Sequence, residues 1–353
     1  MAVHALFFVA PHPVRSRFFR NSTVARAVIT TVLVMSCVIT AAAPALAADN
    51  ETVVRDAVLW LIEQQGEDGS FPGYTGEPDP GTTADAIVAL AAGDLAGVNV
   101  SEAFEAASAW LVANGGEAAV ADPSQAARMT FAALAVGADP RDINGFGLID
   151  AILQAPEAET PVLPGAIGDN LYSHALSVIA LAAAGEPIDP AWIEVMRTTQ
   201  AETGAWAYDG STAPEILDSN TTALVLQAFI AAGLADDPAV AKGFASLEGF
   251  HGDDGYISML GMEADANSTA VVLQALLAGG DAIDPAVVDD TMADLMTMNN
   301  PSGAFHYGNG DESDNVFATT QAIPAVAGFA MHELAGCLGE AEAAAVSECE
   351  AAA

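Results

Sequence analysis

The chain has 353 residues, 52% of them hydrophobic, which is enough to bury one large core or two ordinary ones. Its 47 acidic residues face only 9 lysines and arginines, and the formal net charge is −38. A field of this sign repels nucleic acid and anionic lipid, so we expect neither as a partner.

Residues 1–47 have the layout of a secretory signal. Four arginines come first, an apolar run over 27–40 follows, and Ala45-Leu46-Ala47 closes the segment. The run is shorter than the roughly 20 residues that span a membrane. We therefore expect cleavage after Ala47, a secreted or cell-surface protein and no membrane insertion afterwards. An uncleaved anchor and a lipoprotein signal ending at Cys37 remain alternatives.

The opposite end carries the two other cysteines. Cys337 and Cys349 lie in an Ala/Glu-rich tail over residues 336–353, and no histidine or metal-ligand spacing accompanies them. In an oxidising compartment they are expected to form a disulfide, and the alternative is two free thiols.

A repeated helix opening organises the chain between these ends. The stretch from Asp218 to Phe229, polar and then apolar, recurs 47 positions later at Asp265. A fixed period of this kind indicates stacked supersecondary units. Six such helices align on a small or polar residue after the start, and a glycine stop follows each of them at Gly93, Gly137, Gly185, Gly233, Gly279 and Gly328. The six anchors are Thr82, Ala126, Ser173, Thr221, Ser268 and Ala318.

A second helix precedes each of these and carries bulkier side chains, such as Trp60, Trp110 and Trp192. Alanine-rich helices can pack closely as an inner ring, and bulkier ones can cover a wider perimeter. Because a helix pair cannot bury both its faces alone, the pairs must stack. No obviously polar capping repeat is present, so we predict an all-α (α/α)6 toroid over residues 48–335, with an open solenoid as the alternative.

The turns between paired helices share a spacing. Gln200, Gly204 and Trp206 repeat the pattern of Gln65, Gly69 and Phe71. Glycine permits the reversal, the aromatic ring fills space and glutamine can satisfy helix-end groups. We interpret these residues as a structural staple.

At these residues the chain resembles the terpene cyclase/prenyltransferase toroid superfamily, whose squalene cyclase-like members carry Gln-Gly-Trp repeats. The cyclases depend on an Asp-any-Asp-Asp acid, and prenyltransferase β subunits bind zinc through Asp, Cys and His; neither set occurs in the repeat region. The stretch from Asp169 to Leu176 also resembles the inner-helix openings of cobalamin carriers similar to intrinsic factor and transcobalamin. That resemblance implies a corrinoid-like ligand.

Polar residues at the openings of the inner helices suggest a rim. Asp79, Asn170, Asp218, Asp265 and Asn315 occupy equivalent positions, where they can cap the helices. Parallel inner helices also bring these ends to one mouth, where a ligand would bind. The predicted ligand-binding residues are Tyr172, His174, Asp218, Asn220, Gln227, Asp265, Asn267, Gln274, Asn315 and Phe317.

These patterns favour a non-catalytic module that binds a small molecule or a protein partner at the mouth. No catalytic or metal-binding residue is assigned. Cobalamin and Ca²⁺ stay open as ligands, the latter at the acidic loop from Asn309 to Asn315, which a solvated loop also explains. The alternative function is a terpene cyclase-like or carbohydrate-active (α/α)6 enzyme, the second using paired carboxylates such as Asp218 and Asp265. A pure scaffold is the third reading.

Overall fold

The structure is a computed structural model that describes residues 48–155, 163–308 and 310–333. The predicted signal segment and the predicted Cys337–Cys349 disulfide lie outside the described residues. Within them, no helix is both long and apolar enough to cross a membrane.

Six helices form a closed inner ring. Each contacts the next in chain order, and the last contacts the first. The ring confirms the (α/α)6 toroid and rules out the open solenoid. Its members are α2 (Pro80–Leu95), α5 (Pro123–Ala135), α7 (Leu171–Ala183), α9 (Ser219–Ala231), α11 (Ala266–Gly279) and α13 (Val316–Val326).

The outer layer packs against this ring. The outer helices are α1 (Ala48–Glu63), α3 (Ser101–Asn114), α4 (Gly116–Ala121), α6 (Leu148–Leu153), α8 (Pro190–Thr198), α10 (Pro238–Leu247) and α12 (Pro285–Thr297). Helix α1 contacts both α2 and α13, so the outer layer also closes between the first and last repeats. In the second repeat two helices, α3 and α4, together take the place of one outer helix.

Short irregular elements lie between the helices. Two antiparallel pairs join β1 (Trp206–Ala207) to β2 (Leu217–Asp218) and β3 (His306–Gly308) to β4 (Asp311–Asp314). Turns of 3₁₀ helix cover Pro214–Ile216, Glu248–Phe250 and Gly280–Ala282.

The polar residues that open the inner helices are N-caps, as the sequence predicts. Asp218 accepts from the Thr221 amide at 2.6 Å, and Asn170 accepts from the Ser173 amide at 2.7 Å. Asp79, Asp265 and Asn315 cap α2, α11 and α13 in the same way. In the second repeat the cap is Asp122, which places Ala126 one residue beyond the position that we assigned to it.

Four of the six predicted glycine stops lie where the chain leaves a helix with positive φ: Gly137, Gly185, Gly233 and Gly328. Two assignments are wrong. Gly93 is buried inside α2, where a Cβ would lie 2.7 Å from Val58, so it serves close packing against α1. Gly279 is the last residue of α11, and Gly280 has the positive φ that ends the helix.

The glutamine turns tie neighbouring repeats together, as the predicted staple requires. The Gln200 side-chain amide donates to the carbonyls of Gly204 at 2.9 Å and Ala239 on α10 at 2.8 Å. Gln65 makes the equivalent bonds to Gly69 and Ala103 on α3. Each glutamine therefore fixes its own turn to the next outer helix.

Candidate functional site

The inside of the ring is lined by residues at a common helical register. Counted from the N-caps Asp79, Asp122 and Asn315, the residues six positions on are Asp85, Arg128 and Gln321. Residues three positions further lie on the same helix face and form the next level of the wall. The complete lining is Asp85, Val88, Arg128, Phe131, Tyr172, Leu176, Gln274, Thr320, Gln321, Pro324 and Met331.

A half-buried pair of an aspartate and an arginine is the main polar feature of this wall. The Arg128 guanidinium contacts Oδ2 of Asp85, and the two side chains are 17% and 13% exposed. Gln321 donates to the same oxygen at 3.2 Å. Arg128 also donates to the Tyr172 hydroxyl at 3.4 Å. Among the described residues no hydrogen bond uses Oδ1 of Asp85.

Burial raises the pKa of the Asp85 carboxyl, the Arg128 charge opposes this shift, and the charge of Asp79 adds to it. Burial also acts against the charge of Arg128, but Asp85 and Tyr172 outweigh it and raise the pKa of the guanidinium. Arg128 therefore stays charged while Asp85 holds its proton to a higher pH than an exposed aspartate does.

The cavity is small in this form. The space inside that water molecules can occupy is about 40 Å³, room for only a few of them. Met331, from the segment that follows α13, forms part of the lining, and its amide donates to Oε1 of Gln227 at 3.2 Å.

The predicted rim residues divide into three groups. Tyr172 and Gln274 line the cavity. Asp218, Asp265 and Asn315 are N-caps outside its lining. Asn220 and Asn267 are half-buried, Phe317 is 38% exposed, and Gln227 is buried against the amide of Met331.

His174 makes the contacts of a core side chain. Its Nδ1 accepts from the Ile167 amide at 2.9 Å, so Nε2 carries the hydrogen and donates to the Trp192 carbonyl at 3.0 Å. Burial lowers its pKa to about 4.

The position of His174 in its repeat explains this role. Four residues after the cap, Thr83, Thr222, Thr269 and Thr319 each accept the amide hydrogen of the aromatic residue in the preceding turn, at 2.9 to 3.0 Å. His174 replaces threonine at this position, and Ala126 stands there in the second repeat. Its Nδ1 therefore accepts the amide hydrogen that threonine accepts in four other repeats.

Two of the caps are also electrostatically unusual. Burial raises the pKa of Asp218 to about 6, and burial raises the pKa of Asp265 as well. Oδ2 of Asp218 is buried without a hydrogen-bond partner among the described residues. Neither carboxylate belongs to the cavity lining, so the fold does not bring them together there as a catalytic pair.

Asp85, Arg128 and Gln321 were missed in reading the sequence. The signal was available, because all three stand six residues after a cap and interrupt otherwise apolar inner helices. The helix anchors lie beside the caps, whereas these three residues lie about one turn further along each inner helix.

The candidate calcium loop is largely β-structure in the described residues. Asp311 accepts from the amide and hydroxyl of Ser313, and Asp314 accepts from Asn300 and Ser302. No group of three or more His, Cys, Asp or Glu residues in the described ranges is placed to hold a metal ion.

The solved structures to which the chain is similar include three of similar size. A protein from Actinoplanes matches with 18% identity and a TM-score of 0.55, covering 81% of this chain and 99% of its own. A variant of the type II terpene cyclase MstE from Scytonema, in complex with geranylgeranyl dihydroxybenzoate, matches with 17% identity and a TM-score of 0.58, covering 81% and 98%. An inactive variant of an α-1,6-mannanase from Salegentibacter, in complex with α-1,6-mannotriose, matches with 10% identity and a TM-score of 0.60, covering 80% and 100%.

The chain shares their (α/α)6 toroid fold. At these identities the likeness establishes the fold alone. The sequence itself matches no family model and no curated protein.

Two expectations need correction. A non-catalytic binding toroid was predicted, whereas the named neighbours are a cyclase and a glycan-cleaving enzyme, so the comparisons favour the alternative that we stated, an enzyme of this fold. The absence of an Asp-any-Asp-Asp string had weighed against catalysis, but an acid on the cavity wall does not require that string. The resemblance to cobalamin carriers receives no support from the comparisons.

Proposed function

We propose that this toroid is a terpene cyclase-like enzyme that uses Asp85 to protonate an apolar, unsaturated substrate inside the ring. The proposal rests on the hydrogen bonds of Asp85. Asp85 lies in the cavity wall with Oδ2 held by Arg128 and Gln321, while Oδ1 takes no hydrogen bond from the described residues. This is the arrangement expected of a general acid whose proton faces the substrate.

The step transfers the proton on Oδ1 to one carbon of a carbon–carbon double bond. The π electrons form the new C–H bond, the neighbouring carbon becomes a cation, and a further double bond of the same substrate can attack it to close a ring. Transfer of a proton from the last cation to solvent leaves the C–H electron pair as a new double bond and completes the reaction, and Asp85 regains a proton from solvent.

Arg128 and Gln321 have a defined part in this step. Burial raises the pKa of Asp85, which favours the protonated form that an acid catalyst needs. When the proton leaves, the carboxylate that remains is stabilised by the Arg128 charge and by the Gln321 amide. Both groups therefore favour the state that forms in the reaction over the resting state.

The rest of the wall suits a cationic hydrocarbon. Phe131 and Tyr172 place aromatic rings in the lining, and aromatic faces attract cations. Val88, Leu176 and Pro324 add apolar surface that excludes water, which would otherwise capture the cation.

Glycoside hydrolysis is less well supported. It ordinarily requires two carboxyl groups on either side of the scissile bond. Among the described residues, Asp85 is the only carboxylate in the lining. The mannanase neighbour therefore supports the fold of this chain but not a glycosidase site in it.

The test is incubation of the mature chain, residues 48–353, with geranylgeraniol, geranylgeranyl dihydroxybenzoate and squalene in D₂O, followed by mass spectrometry. We expect a cyclised product that carries one deuterium from the initiating protonation. Asp85→Asn should reduce turnover by at least about 100-fold. The control is Asp289→Asn on the exposed face of α12, which should behave as the wild type. Turnover by Asp85→Asn at the wild-type rate, or cyclised product without deuterium, would rule the acid out.

A further inference from the structure

The cavity and the proposed reaction do not match in size. Sites for small molecules usually measure about 300–1,000 Å³, whereas the interior holds about 40 Å³ of water-accessible space. An isoprenoid can enter only if something that now fills the ring moves.

The chain itself supplies the obstruction. After α13 ends, residues 328–333, here called the plug, turn into the ring. Phe329 is 7% exposed, Ala330 is fully buried, and Met331 forms part of the cavity lining. The partner of the Met331 amide is Gln227 on α9, and α9 is separated from α13 by α11 in the ring. The plug therefore contacts a helix two positions away from α13 in the ring.

The end of the plug is lightly held. The Ala330 amide donates to the Glu333 carboxylate, and the Glu333 amide donates to the Ala330 carbonyl. Both bonds lie inside the plug, within residues 330–333. In the described part of the chain, the bond from Met331 to Gln227 is the one that ties this stretch to another element. Methionine is also the most adaptable of the large apolar side chains, so Met331 can leave its place without a matching change in the wall.

Gln227 provides a second observation. It is fully buried, and its Nε2 has no hydrogen-bond partner among the described residues. If Met331 withdrew, Oε1 would also lose its donor. Both ends of the amide would then be available on α9, which lies opposite α2 and Asp85 in the order of the ring.

We propose that Met331 is a displaceable plug that occupies the substrate's place, and that the ligand that expels it has an apolar chain and one hydrogen-bonding end that binds Gln227. This inference rests on the proposed function for the identity of the site. It adds that the resting enzyme is closed by its own chain and that Gln227 selects for a polar terminus.

Affinity is the first test, with geranylgeraniol as the probe and isothermal titration calorimetry as the readout. Met331→Ala should bind at least about tenfold more tightly than the wild type, because less has to be expelled. Met296→Ala on outer helix α12 is the matched control, and it should leave affinity unchanged. Equal affinities in the two variants would overturn the proposal.

Gln227→Leu separates the two roles of Gln227. The variant should bind squalene, which lacks a polar end, more tightly than the wild type does, because the bond that holds the plug is gone. It should also lose the preference for geranylgeraniol over squalene. Retention of that preference would contradict the assignment of Gln227.

Movement can be observed without catalysis and without a gain in affinity. In a Cys337→Ser/Cys349→Ser background, the thiol of Met331→Cys should react slowly with maleimide in the free protein, where position 331 is half-buried, and faster in the presence of saturating geranylgeraniol. A labelling rate unaffected by the probe would overturn the plug. Adding Asp85→Asn distinguishes the two proposals, since labelling should persist there even when turnover is lost.

Discussion

The side-chain amide of Gln321 donates a 3.2 Å hydrogen bond to Oδ2 of Asp85, joining the last inner helix of the ring to the first. The two residues are 236 positions apart in the chain. The immediate surroundings of the proposed acid are thus completed by the contact that closes the toroid.

Replacing Gln321 should change the pH dependence of turnover. Activity requires protonated Asp85, so it falls as pH rises through the pKa of that group. Gln321 helps to lower this pKa, and therefore Gln321→Leu should move the falling limb of the profile to higher pH. The rate on the plateau should drop about tenfold, because the carboxylate left behind is less stabilised.

Gln125→Leu is the matched control for this change. Its Oε1 is buried and has no hydrogen-bond partner among the described residues, so its loss should leave the pH profile in place. An unmoved limb in Gln321→Leu, measured from pH 5 to 9, would show that Gln321 does not act on the acid.

The Asp85–Arg128 pair should show strong coupling in stability. Removal of one partner leaves a buried group uncompensated, so we expect Asp85→Leu and Arg128→Leu each to lower the free energy of unfolding by about 3–5 kcal/mol. The double variant should recover most of this loss, because no lone charge remains in the wall. Urea denaturation of the four proteins completes the cycle. Additive losses would mean that the two side chains are independent.

Asp218→Asn should stabilise the protein at neutral pH. Asn170 and Asn315 show that asparagine caps these helices equally well. The folded-state pKa of Asp218 is about 6, above its ordinary 3.8, so the folded chain disfavours the charged form. Above pH 6 this costs on the order of 3 kcal/mol, and the cost disappears as pH falls below 4.

The gain in Asp218→Asn should therefore be largest near pH 8 and absent near pH 4, as melting temperatures against pH would show. Asp122→Asn changes a half-buried cap in the same way and should gain much less. A gain that is independent of pH would assign the effect to capping geometry instead of buried charge.

His174→Thr tests whether His174 takes the place of the threonine that recurs in four other repeats. Threonine accepts the corresponding amide in four other repeats, so His174→Thr should be more stable than His174→Ala, which leaves the Ile167 amide unpaired, by about 1–3 kcal/mol.

A pH series adds an independent readout on His174. Its folded-state pKa of about 4 lies below the ordinary 6.5, so its contribution is present above pH 6.5 and is lost as pH falls to 4, by about 3 kcal/mol in total. The free energy of unfolding of His174→Thr should therefore fall less steeply than that of the wild type as the pH decreases from 6.5 to 4. Identical slopes would contradict the assignment of that pH dependence to His174.

Much of the fold follows from local patterns in the sequence. Caps such as Asp218 and turns such as Gln200 to Trp206 each depend on residues close together in the chain, and the repeat makes them visible several times. Closure was also predictable, because neither end of the repeat array has a polar face.

The site was less accessible to such reasoning for a physical reason. Asp85, Arg128 and Gln321 come from three repeats, and each one alone resembles a polar residue in an exposed helix face. Their shared register, six residues after a cap, places them on equivalent faces of their helices, but the contacts among them form only when the ring closes. Met331 lies outside the repeats altogether, so no alignment of them could have placed it inside the cavity.

Closure by Gln321 also bears on the order of folding. Contacts between distant parts of a chain form late, because the entropy of closing a long loop must be overcome before they contribute. During synthesis α2 and α5 emerge before α13, so Asp85 can meet Arg128 while α13 is still inside the ribosome. An unfinished chain therefore has an aspartate still open to water at this place. The proposed acid acquires its buried surroundings only when the last repeat docks, which ties the onset of reactivity to the completion of folding.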